Sequence, residues 1–104
     1  MKRKPTKDYK EDLIERLQDS SYAAAYLNAA LVDSDPQVFL IALKDVADAK
    51  SLGIAKLAKK THLNRESLYR TLSKRGNPRL NNLCVILGAL GLDLSVKPSK
   101  SIRL

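Results

Sequence analysis

Residues 59–78 read KKTHLNRESLYRTLSKRGNP. Leu63, Leu68 and Leu72 fall five and then four positions apart, so a helix places them on one buried side. Between them Arg65, Glu66, Ser67, Tyr69 and Arg70, with Lys74 just beyond, make a dense and mostly basic polar face. Two of these residues are Arg, whose planar fork suits phosphates and guanine edges. Asn64 stands where a side-chain oxygen caps the following helix. Gly76 and Pro78 end that helix for different steric reasons. Upstream, GIAKLAKKT forms a second short helix, with His62-Leu63-Asn64 as the joint and Ala58 where the pair must cross closely. The spacing predicts a helix-turn-helix, whose second helix enters the major groove of DNA. In that pose Arg65, Glu66, Ser67, Tyr69 and Arg70 face the bases, Asn64 joins the DNA-binding set at the helix start that it caps, and Lys74, Arg75 and Arg79 fall near the phosphate backbone. The bland alternative is a solvated helix of a small bundle, with Tyr69 a half-buried ring.

The charge distribution favours the first reading. Residues 51–104 carry eleven Lys and Arg against Glu66 and Asp93, a net +9, whereas residues 8–50 carry four against nine, a net −5. One half is suited to a polyanion and the other is not. The 104 residues, 44% apolar, suffice for one folded domain with one modest core. No apolar run approaches the ~20 residues of a membrane span. The start, MKRKPTKDYK, lacks the apolar core of a signal peptide. One Cys, Cys84, and one His leave no internal disulfide and no single-chain zinc site, and fit a reducing cytoplasm.

Helical signals recur along the whole chain. Residues 8–18 align Leu13, Ile14 and Leu17; Asp19 caps an Ala-rich helix from Ser20 to about Asp33; Asp35-Pro36 starts a third, to about Lys50, burying Phe39, Leu43 and Val46. Helices over 53–61 and 65–74 follow, and a last one, about 80–90, aligns Leu80, Leu83, Cys84, Leu87 and Leu90 until Gly91 stops it. In LDLSVK, residues 92–97, apolar and polar residues alternate with the period of a strand. No second strand is visible, so this segment pairs with another copy, pairs with another protein, or is an extended tail. The organisation is thus a basic tail over 1–7, one helical domain over 8–91, and a strand and tail over 92–104.

Residues 53–91, through KLAKKT, NRESLYRTL and GNP followed by a helix ending ALGL, resemble the Cro/repressor-like (Xre-type) helix-turn-helix domain. SYAAAYLNAAL, with DP opening the next helix, looks like the addiction-module antidote proteins, antitoxins of HigA type; that resemblance covers residues 8–97. It implies an all-α bundle of about six helices with a lambda-repressor-like helix-turn-helix. It also implies an antitoxin that binds and blocks a small RelE/ParE-like toxin and represses its own operon as a homodimer on double-stranded operator DNA. Two residues depart from the Xre pattern. His62 occupies a turn position that usually carries glycine, and Ile54 replaces the usual polar residue at the start of the first motif helix.

The acidic helices of residues 8–50 then read as a docking surface for a basic toxin, since opposite potentials favour encounter; the alternative is ordinary helix surface. Tyr22, Tyr26 and Phe39 are aromatic anchors in the first reading and core residues in the second. Asp33 and Asp35 supply charge beside them. Cys84 reads as a small buried hydrophobe. A Cys–His pair lacks an orienting group and an oxyanion hole, so no enzyme is expected and no cofactor is called for. The competing functional class is a stand-alone Xre-type repressor with no toxin partner.

Overall fold

The computed structural model describes residues 9–50, 53–73 and 76–99. Its six helices are α1 (Tyr9–Leu17), α2 (Ser20–Leu31), α3 (Pro36–Ala49), α4 (Gly53–Thr61), α5 (Arg65–Thr71) and α6 (Leu80–Ala89). All six helices expected from the sequence are present. The basic tail over 1–7 lies outside the described residues, as do Lys74 and Arg75.

Local chemistry sets the helix starts. The Asp19 carboxylate accepts the Ser21 N–H at 3.0 Å to open α2. Asp35 accepts the Gln37 N–H at 2.9 Å, with Pro36 at the first helical position of α3. These caps satisfy donors that the first turn leaves without intrahelical partners. At the other end of α3, Lys50 Nζ donates to the Gln18 carbonyl and to Ser20 Oγ, at 3.3 and 3.2 Å, fastening that end to the α1–α2 turn.

α1, α2 and α3 pack on one another, α4 packs on α5 and α6, and α3 meets α4. The shared core contains Leu17, Leu43, Val46, Leu57, Leu68, Leu72 and Ile86, all fully buried or nearly so. Truncating any of these leucines to Ala should cost about 2–5 kcal/mol through lost transfer energy and the cavity left behind. Ala23 and Ala47 are completely buried, and such small side chains let helix axes come close.

Three expectations are corrected in whole or in part. Residues 92–99 form no strand. An extended segment needs a neighbouring ladder, and here the Leu92 N–H instead bonds back to the Leu87 carbonyl at 2.9 Å, closing the end of α6. Leu92 packs against the core, but Leu94 is 42% and Val96 98% exposed. The buried face of α6 matches the expected one only in part. Leu83, Leu87 and Leu90 turn to the core as expected and Ile86 joins them, whereas Cys84 is exposed and Leu80 lies open to solvent. Ile14 of α1 likewise sits at the rim.

Candidate nucleic-acid interface

The α4–α5 joint depends on three consecutive residues. Thr61 is buried, and its hydroxyl donates to the Leu57 carbonyl at 2.7 Å while accepting the Leu63 N–H at 3.3 Å. His62 then turns the chain with φ of 62°, the left-handed region where glycine is usual. Asn64 caps α5, its Oδ1 accepting the N–H groups of Glu66 at 2.7 Å and Ser67 at 3.2 Å. Together these bonds hold the first turn of α5 at a set angle to α4.

α5 buries Leu68 and turns Arg65, Glu66, Ser67, Tyr69 and Arg70 outward; the Tyr69 residue is 55% exposed, open to solvent over about half its surface. Among the described residues of α4 and α5, Glu66 is the only acidic group against Lys56, Lys59, Lys60, Arg65 and Arg70. Arg79 is exposed at the residue before α6, where its side chain makes no capping bond.

The structure adds neighbours to this face. Ser67, Arg70 and Thr71 of α5 share a depression of about 300 Å³ with Gly76, Asn77, Pro78, Arg79 and Asn82. Two Arg, two hydroxyl residues and two Asn around one concavity are the donor set that phosphate oxygens take. Asn82 and Asn77 were missed in the sequence because their placement depends on the path of 76–78. Gly76 makes that path: it is buried, and a Cβ there would fall on the Thr71 carbonyl oxygen and 2.7 Å from the Arg70 carbonyl oxygen. Among the described residues, no cluster of His, Cys, Asp and Glu could hold a metal ion, and no helix is long and apolar enough to cross a membrane.

The second group of candidates lies on α2 and the turn after it. Tyr22 is 37% exposed. Tyr26 is partly buried against the core, and its hydroxyl donates to Asp45 Oδ2 at 2.8 Å. Burial, then that hydrogen bond and the nearby carboxylate charge, push its phenol up to about 12. Asp33 and Asp35 are exposed, and each uses one oxygen locally: Asp33 accepts the Asp35 N–H at 2.8 Å, and Asp35 caps α3.

Both faces fall within one match. The family model described as "Probable addiction module antidote protein" covers residues 7–98, from α1 through the segment beyond α6. A protein of Haemophilus influenzae, itself described as uncharacterized, is 32% identical over 89 residues, which is 86% of this chain and 90% of the relative. No solved structure matches the chain. The match over nearly the whole chain places it in the family of probable addiction module antidote proteins.

Proposed function

We propose that the chain is the antitoxin of a type II toxin–antitoxin pair, with two separate working surfaces. Family membership supports the antidote role. On this reading α4 and α5 are a helix-turn-helix of the Cro/repressor-like kind, and α5 enters the major groove of operator DNA. Arg65, Glu66, Ser67, Tyr69 and Arg70 reach base edges, Asn64 fixes the start of the helix, and Lys74, Arg75 and Arg79 approach phosphates. The observation that carries this surface is the depression lined both by Arg70 of α5 and by Arg79, the residue before α6. The protein acts as a homodimer, because two-fold operators present half-sites about one helical turn apart.

The acidic helices of residues 8–50 bind a basic RelE/ParE-like toxin in the cytoplasm, and the chain acts by binding rather than by catalysis. Tyr26, held by Asp45 and the core, shapes this surface from beneath; Tyr22, Asp33 and Asp35 are its outward contacts. Co-expression with the product of the adjacent reading frame tests this half. Co-purification together with relief of growth arrest is the expected result. Failure of both, with operator binding intact, would favour a stand-alone repressor. For the DNA half, anisotropy on the chain's own promoter fragment should show affinity falling steeply between roughly 50 and 200 mM salt, as counterions return to the phosphates. A footprint without two-fold symmetry would contradict the dimer.

A further inference from the structure

On the other side of the 76–78 segment lies a second concavity that the DNA-facing residues do not use. It encloses about 310 Å³ between the α2–α3 turn and the start of α3, with Leu31, Asp33, Pro36 and Gln37 on one side and Asn77 and Pro78 opposite. Its apolar edge is open: Leu31, which lines it, is 56% exposed. Gln37 lines the groove, and its Oε1 is buried with no hydrogen-bond partner. A buried acceptor left unpaired favours the arrival of a donor. Asp33 is the one charged side chain among the described lining residues, and its Oδ2 takes no part in the turn bond made by Oδ1.

These features select an occupant. A carboxylate, an unpaired amide oxygen and apolar walls exclude an anion and suit a cationic donor on an aliphatic stem. The residues 8–50 around them carry a net −5, so a basic protein is drawn to this half of the molecule. We propose that this groove is the docking point for the basic toxin, which inserts a Lys or Arg side chain there. The stem lies against Leu31 and Pro36, the charged head pairs with Asp33, and the Gln37 side chain turns its buried Oε1 outward to accept from it. The inference rests on the antitoxin reading above and narrows it to one cleft.

Three variants test it, with the purified product of the adjacent reading frame as the probe and calorimetry as the readout. Gln37→Leu removes the unpaired acceptor, so the thermal midpoint should hold or rise while toxin affinity falls about tenfold or more. Asp33→Asn keeps an oxygen for the Asp35 N–H and removes the charge; it should weaken binding and flatten its salt dependence. Leu31→Lys sets a like charge on an exposed lining residue and should weaken binding by at least about tenfold. Affinity for the promoter fragment should stay within about twofold for all three. A wild-type complex that tolerates all three variants would overturn the groove while leaving the antitoxin reading intact. Loss of promoter affinity with toxin binding unchanged would overturn it too, by assigning the groove to DNA. If the wild-type chain does not bind the probe at all, the antitoxin reading fails, and the groove proposal with it.

Discussion

The same substitution, glycine to alanine, should have opposite effects at two positions of this chain. At Gly76 the added Cβ meets backbone: the Thr71 carbonyl oxygen, the Arg70 carbonyl oxygen at 2.7 Å and the Thr71 carbonyl carbon at 2.8 Å. Those atoms belong to the last turn of α5, so they cannot swing aside as a side-chain tip would. Overpacking of this kind typically costs about 1–3 kcal/mol, and backbone on the far side favours the upper half of that range. For a domain of this size each kcal/mol moves the melting midpoint by about 4–8 °C, so Gly76→Ala should lower it by roughly 8–24 °C. At Gly88, inside α6, a Cβ meets nothing within 4 Å. There Ala should stabilise by about 0.5–1 kcal/mol, because it restricts the unfolded chain and favours helix. Thermal unfolding followed by circular dichroism at one pH and salt compares the pair directly. Equal midpoints for the two variants would refute the close approach of 76–78 to α5, and with it the shape of the basic depression.

Tyr26→Phe removes the hydroxyl that bonds Asp45 and should cost about 1 kcal/mol in urea unfolding near neutral pH. Its pH signature has a definite sign. The phenol is raised from 10.0 to about 12, so the neutral group's contribution is whole below pH 10 and is lost as pH climbs from 10 to 12. The wild-type minus variant difference in urea midpoint should shrink across that window, and a constant difference would contradict the buried bond. Asn64→Ala leaves the Glu66 and Ser67 N–H groups uncapped and should cost ~1 kcal/mol, with weaker promoter binding measured on the same sample. His62→Gly should stabilise by about 0.5–1 kcal/mol in the same melts, since relief of the left-handed strain outweighs the extra freedom of glycine when unfolded.

Much of the architecture was readable because it is local. Asp19, Asp35-Pro36 and Asn64 each announce a helix start through a bond made within three residues, and all three caps are present. His62 has the left-handed backbone that the resemblance to the Xre pattern implied for that turn position. The misreadings have non-local causes. From Leu83 to Leu92 nearly every residue is apolar or small, so periodicity does not fix which face of α6 turns inward; contact with α4 does, and it leaves Cys84 outside. The alternation in LDLSVK marks two chemically different faces, but a ladder needs a neighbour that the sequence of one chain does not supply. Of the candidate sites, the outward row of α5 was legible from the spacing of Leu68 and Leu72. The Arg70–Arg79–Asn82 depression and the Gln37 groove were not, since both depend on where 76–78 runs. Thr61 was passed over because a buried hydroxyl shows its purpose only through its partners.

The central claim is that α5 reads DNA sequence while Arg79 only holds the backbone, and base preference measured for two variants tests it most directly. Wild-type, Arg70→Ala and Arg79→Ala proteins are each equilibrated with a randomised library built on the promoter half-sites, and bound sequences are counted. Arg70→Ala should lose roughly 1–3 kcal/mol of specific affinity and relax preference at one base position in each half-site. Arg79→Ala should weaken specific and random DNA alike, with the base preferences unchanged and a salt slope smaller by about one. An Arg70→Ala protein that keeps every base preference of the wild type would contradict the placement of α5 in the major groove.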